Sequence, residues 1–201
     1  AAAFALVAYQ TLYLKVYYPA AFFCAILNHQ PMGFYSPDVL VGDARRHGVM
    51  VLPPDVNLSQ DSWELEVGDW GCGDSAFRDS GPAVRLGLRY VRGLGEVWQS
   101  RLVQRRGQRP FQDLRDFCRR TRLSRGLVEN LVRAGTLDGL GRARRELLWE
   151  LGGLIYAEEG LDLDIEVPVE PVALPDLNRA ERMTWETELL GLVTDDHVMS
   201  L

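Results

Sequence analysis

The sequence predicts a mainly α-helical chain with a few short strands, and three observations carry that prediction. Apolar residues recur at helical spacing in several segments, and helix start and stop residues bracket those segments. A Gly-Leu-Gly at 93–95 joins two helix-compatible stretches as the turn of a helix-hairpin-helix does. At 201 residues and 47% apolar content the chain can bury one moderate core or two small ones, and its composition does not mark it as disordered.

The elements follow in order. Phe4, Ala8, Leu12 and Val16 recur near helical spacing in AAAFALVAYQTLYLKVYY, and Gln10, Thr11 and Lys15 interrupt that run, which predicts a buried helix and not a membrane span. The helix must stop before Pro19, because the residue preceding a proline is pushed out of the helical region, and Pro19 opens a second helix to about Asn28. Ser36-Pro37-Asp38 supplies a hydroxyl cap, a proline at the first position and an acid in the first turn of a third helix, which Gly48 stops. VMVLPPDVN reads as a short strand entering a Pro-rich loop, SWELEV as a second strand with Trp63, Leu65 and Val67 on one face, and GDWGCGDSAFRDSGP as a loop.

From residue 83 the pattern is a short strand, a helical turn, the Gly93-Leu94-Gly95 hairpin and a helix through Arg106. Two more helices are expected, near Gln112 to Thr121 and from a Ser124 cap to a Gly135 stop, so that a second helix pair closes the small interior of the first. Their turn, Arg122-Leu123-Ser124-Arg125, lacks a glycine pair. An amphipathic helix from Ala143 to Tyr156, an acidic linker from Glu158 to Leu177 and a last helix capped by the Asn178–Glu181 box complete the chain.

Charge is distributed unevenly. Residues 85 to 145 hold 16 arginines against 5 carboxylates, a net of +11, inside a chain whose overall charge is −6. Such a block predicts a polyanion partner, the alternative being that the arginines pair with the acidic C-terminal third. Glycines at 93 and 95 permit a crowded backbone whose amides face outward at the start of the next helix, where a phosphate fits. The expected DNA-binding residues are therefore Arg92, Gly93, Leu94, Gly95, Arg101, Arg105 and Arg106, gripping a duplex by its backbone without reading sequence. Trp98 reads as packing, not as a base-stacking platform.

Other residue groups have the chemistry of sites but not the pattern. Cys24, Cys72 and Cys118 are odd in number and lack C-x-x-C spacing, so neither zinc nor a disulfide framework is expected. Asp162 and Asp164 lie in the acidic linker with no third ligand nearby, and Asp195-Asp196-His197 are adjacent residues that point in different directions; no metal site and no catalytic residue is assigned. Gln112 to Phe117 loosely resembles a sliding-clamp motif, but Leu114 and Phe117 have the spacing of a helix facing a core. With no basic leader, the chain is expected to be cytoplasmic and without a membrane partner.

The segments together resemble the bacterial C-family DNA polymerases, most closely the error-prone branch related to the replicative polymerase III alpha subunit. AFALVAYQTLYLKVYYPAAFFCAILN is similar to the end of that family's fingers domain, and QPMGFYSPDVLVGDARRHGVMVLPPDVN to a segment characteristic of its error-prone members. AVRLGLRYVRGLGE and RPFQDLRDFCRRTRLSRGLVENLVRAGTLDGLG resemble the tandem helix-hairpin-helix domain, and ELLGLVTDDHVMSL the approach to an oligonucleotide-binding domain. The resemblance implies fingers at 1–56, a connection at 57–82, tandem hairpins at 83–145 and a helix with acidic linker at 146–201.

It implies an error-prone, template-directed polymerase of damage tolerance as the parent, with primer-template duplex as partner and the sliding clamp and accessory proteins reached through the parent. Magnesium and the catalytic carboxylates belong to a palm outside this chain, which binds no cofactor and is inactive alone. Tyr9, Gln10, Thr11 and Lys15 could face the nascent base pair. Val97, Trp98 and Gln99 are bulkier than the family's small residues at the hairpin crossing, which would widen it. A stand-alone repair adaptor and a protein-docking scaffold are the competing expectations.

Overall fold

The computed structural model describes residues 2–67, 82–107, 109–154, 156–157, 160–161, 172 and 174–194. Helices dominate, with eight α-helices, a three-stranded sheet and a two-stranded ribbon among the described residues. The chain divides into two compact units, Ala1–Leu52 with Trp63–Leu86, and Pro53–Ser62 with Gly87–Leu201.

In the first unit α1 (Ala2–Tyr17) stops one residue before Pro19, which opens α2 (Pro19–Asn28); α3 (Pro37–Arg46) follows Ser36 and ends at Gly48, whose φ of +74° suits glycine. Ser36 takes the cap position, but its hydroxyl makes no cap hydrogen bond. The sheet has the order β1–β3–β2, with β1 (Val51–Leu52) parallel and β2 (Glu64–Glu66) antiparallel to β3 (Ala83–Arg85). Asn28, at the end of α2, clasps the backbone of Trp63 on both sides: its Nδ2 donates to the Trp63 carbonyl at 2.8 Å and its Oδ1 accepts from the Trp63 amide at 2.9 Å. Buried Arg85 pairs across the sheet with Glu66, its Nη2 lying 3.0 Å from Oε2.

Two expectations need correction here. Of Trp63, Leu65 and Val67, expected on one face of a longer strand, only Leu65 lies within β2, and Trp63 is buried while Leu65 and Val67 are exposed at the sheet edge. Nor is α1 buried: Phe4 is 83% and Tyr9 66% exposed. Its apolar residues surround the whole circumference, so packing against α2 covers one side only. Lys15 is instead the anchored residue, its Nζ 2.7 Å from Asp43 of α3.

The second unit is built on α4 (Glu96–Arg106), α5 (Leu114–Thr121), α6 (Arg125–Arg133), α7 (Arg144–Gly153) and α8 (Arg179–Leu190) around buried Leu102, Phe117, Leu131 and Leu147. The Asn178–Glu181 capping box of α8 is formed as its spacing predicts. Helix α7 ends at Gly153, short of Tyr156, because two successive glycines weaken its last turn; residues 156–157 and 160–161 form an antiparallel ribbon, β4 and β5. Leu114 and Phe117 are buried, so the clamp-like stretch is core.

The segment 53–62 is threaded into this unit. Asn57 exchanges two hydrogen bonds with the backbone of Phe111, at 2.9 and 2.7 Å, and the Leu88 amide donates to the Gln60 carbonyl at 2.8 Å. A Cβ on Gly87 would lie 2.4 Å from the Asp61 carbonyl oxygen and 2.4 Å from the Ser62 carbonyl carbon, all backbone atoms. Gly87→Ala is therefore expected to lower stability by about 2–3 kcal/mol, as overpacking against unyielding atoms does, read as a shifted denaturation midpoint at unchanged slope.

Candidate nucleic-acid interface

The first hairpin is a single 3-10 turn at Leu88–Tyr90, the residues 91–95 and α4. Gly93 has φ +88°, Leu94 is buried, and Gly95 is the extended N-cap of α4 at φ −69°, ψ 161°. Gln99, also buried, donates from Nε2 to the Leu94 carbonyl at 2.5 Å and so stiffens the turn from inside. Of the bulky residues at the crossing, Val97 is exposed, Trp98 is half-buried beneath Arg101, and Gln99 turns inward, where it makes that bond. The Leu94 amide is also already engaged, donating to the Val91 carbonyl at 3.1 Å, so Leu94 is the buried pin of the turn. The amides of Gly95, Glu96 and Val97 donate to no acceptor among the described residues and sit at the positive end of α4.

The second turn, which lacks a glycine pair, repeats this geometry. Arg122 takes the left-handed conformation at φ 53°, Leu123 is buried, and Ser124 is the extended N-cap of α6 at φ −62°, ψ 150°. Trp98 and Gln99 donate to the Gly95 carbonyl; Leu127 and Val128 donate to the Ser124 carbonyl in the same way. The amides of Ser124, Arg125 and Gly126 have no acceptor among the described residues. The legible signal was the buried leucine one residue before a cap. This second turn carries Arg125 at the first helical position, where the first turn carries Glu96.

Two groups stand apart within the arginine block. Arg133 pairs with Glu188, Arg142 with Glu146 and Glu150, Arg144 with Asp138 and Glu186, and Arg145 with Glu181, so the acidic C-terminal third does neutralise this stretch. Arg92, Arg101, Arg105 and Arg122 have no carboxylate partner among the described residues, and all four are exposed. Arg92 and Arg122 stand at the two turns, and Arg101 stacks its guanidinium 4.6 Å above the Trp98 ring in α4. Arg106, expected to bind phosphate, is committed elsewhere: its guanidinium donates to the Ser59 carbonyl at 2.6 Å and to Gln60 Oε1 at 2.9 Å, holding the 53–62 segment.

Between α4 and α5 the chain is organised by one buried carboxylate. Asp116 accepts from Arg109 at 2.8 Å, from Arg120 at 3.1 Å and from the Gln112 amide at 3.4 Å, while Arg120 also donates to the Arg109 carbonyl at 2.7 Å and to that of Arg105. Burial works to raise the Asp116 pKa, but the Arg120 and Gln112 hydrogen bonds and the charges of Arg120 and Arg109 outweigh it, holding the carboxyl below its ordinary 3.8. A depressed folded value means stability that is present above pH 3.8 and lost as pH falls through the folded value. Acid denaturation followed by circular dichroism is expected to be shallower in Asp116→Asn than in the unaltered chain below that pH.

Among the described residues no three His, Cys, Asp or Glu side chains converge in a way that could hold a metal ion, and no helix is long and apolar enough to cross a membrane. Cys72, Asp162, Asp164, Asp195, Asp196 and His197 lie outside the described residues. Tyr9 is exposed, and Lys15 is paired with Asp43.

Comparison with known proteins agrees with this geometry. A family model described as a helix-hairpin-helix motif matches residues 48–147. An error-prone DNA polymerase of Alkalilimnicola ehrlichii is 41% identical over 203 residues, covering all of this chain and 19% of the relative. Those of Pseudomonas aeruginosa and Anaeromyxobacter sp. (strain K) are 39% and 40% identical, again over all of this chain and 19% and 18% of theirs. The chain spans about one fifth of the length of these relatives, and over its own whole length it is homologous to a segment of the error-prone DNA polymerases that carries a helix-hairpin-helix region.

Proposed function

We propose that this chain is the duplex-gripping part of an error-prone, template-directed DNA polymerase of the C family that works in damage-tolerant synthesis. The observation that carries the reading is the coincidence of two features at the same two turns: amides at the starts of α4 and α6 that have no acceptor among the described residues, and arginines that have no carboxylate partner among them. Each turn offers a phosphate two or three backbone N–H groups, the positive end of a helix and a nearby guanidinium. Nothing in that arrangement addresses a base edge, so binding is independent of sequence. Two turns of one shape can each hold a backbone phosphate, which lengthens the stay of primer-template on the enzyme. Magnesium and bond formation belong, in this reading, to catalytic carboxylates elsewhere in the parent polymerase.

The two turns can be blocked without disturbing the protein. A Cβ on Gly95 or Gly126 meets nothing within 4 Å, so a side chain there projects into the space a phosphate would take. Gly95→Val and Gly126→Val are expected to keep the fold, at a helix-start cost of about 1 kcal/mol for the first, and to weaken duplex binding by about tenfold or more each. Undiminished binding by both variants, in fluorescence anisotropy at low salt, would remove the turns from the interface.

A further inference from the structure

We propose that α8 is a working part of the grip: Glu186, paired with Arg144, fixes α8, and the Leu189 carbonyl of α8 fixes the Arg92 amide and with it the Gly93–Gly95 turn. The inference rests on the duplex reading and names residues that act on the turn without touching DNA. Carbonyls in the last turn of a helix have no partner within it. That of Leu189 is satisfied by the backbone N–H of Arg92 at 2.8 Å, the residue immediately before Gly93, so the end of α8 and the start of the hairpin turn complete each other.

What holds α8 is buried and fully bonded. Glu186 is 1% exposed; its Oε1 accepts from Arg144 Nη2 at 3.0 Å and its Oε2 from the Thr194 amide and hydroxyl at 3.1 and 3.0 Å. Arg144 donates further to Asp138 and, at 3.1 Å, to the Arg133 carbonyl at the end of α6. Arg133 in turn reaches Glu188 at 2.7 Å and lies over the Trp185 ring, both on α8. The contacts run from this ion pair along one helical turn to Leu189, so displacement of α8 or of residues 191–194 reaches the hairpin through the Arg92–Leu189 hydrogen bond. Glu186 and Arg144 are thus positioning residues for the first turn; among the described residues α8 makes no hydrogen bond to the second, at Arg122–Ser124.

Amide hydrogen exchange on the 201-residue chain separates this from a general loss of stability. In Glu186→Gln the Arg92 amide is expected to exchange at least about tenfold faster while the Arg122 amide, which donates to the Cys118 carbonyl, keeps its rate. Should that variant not fold, Thr194→Val removes one donor to Glu186 and carries the same expectation in smaller measure. With duplex present, Glu186→Gln and Gly95→Val are expected to weaken binding less than additively, since both act on one turn. Unchanged exchange at Arg92, or a rise shared equally by Arg92 and Arg122, would overturn the inference. The exchange readout involves no DNA, so failure of the unaltered chain to bind duplex would be seen separately as failure of the duplex reading.

Discussion

A chain with Arg92, Arg101, Arg105 and Arg122 all changed to Gln is expected to lose at least about a hundredfold in duplex affinity at low salt, with its slope of log affinity against log salt flattened by about 3 to 4, on the basis of about 0.9 per phosphate contact. The four are exposed and have no carboxylate partner among the described residues, so their removal should leave the fold intact. The control is the triple change of Arg46, Arg142 and Arg145 to Gln. These arginines are already neutralised by Asp43, Glu146, Glu150 and Glu181, and their loss should leave both affinity and slope nearly as they were. Equal losses in the two variants would mean that net charge alone, and not the placement at the turns, governs binding.

Arg144→Met is expected to destabilise the chain by about 3–5 kcal/mol, the cost of leaving a buried charge without its partner. Glu186 would keep the Thr194 donors but lose its Arg144 guanidinium, in a site 1% exposed. Asp138 and the Arg133 carbonyl would lose donors as well. The site was shaped around this arginine: at Gly135, with φ +80°, a Cβ would lie 2.2 Å from Arg144 Nη2. The neighbouring change Arg145→Met removes a pair whose side chains are 31% and 39% exposed, and should cost under about 1 kcal/mol. Comparing the denaturation midpoints of the two variants checks both values, and similar losses would show that the Arg144 pair has no special weight.

Much of this was legible in the sequence because local chemistry decided it. Pro19 and Pro37 set helix starts, Gly48 and Gly135 set stops, and the Asn178–Glu181 spacing wrote out a capping box, each within a few residues of the feature it controls. The Gly-Leu-Gly turn was legible for the same reason. Its twin was legible as a turn but not as an equal phosphate site, because Arg122 adopts the left-handed conformation expected of glycine, at a cost of about 1 kcal/mol. The pairing of the arginines was also out of reach: Arg106 and Arg101 lie five residues apart in α4, yet one is spent on the carbonyls of Val56 and Ser59 and the other has no carboxylate partner among the described residues, a difference made by a segment nearly fifty residues upstream. The exposure of α1 reflects an apolar circumference wider than one neighbouring helix can cover, which spacing alone does not reveal.

The most direct test of the central claim is the affinity of the unaltered chain for a labelled primer-template duplex across a salt series. About five phosphate contacts at two turns predict salt-sensitive binding with a log-log slope near −4 to −5, the same for duplexes of unrelated sequence. A folded chain that binds no duplex at low salt would contradict the account.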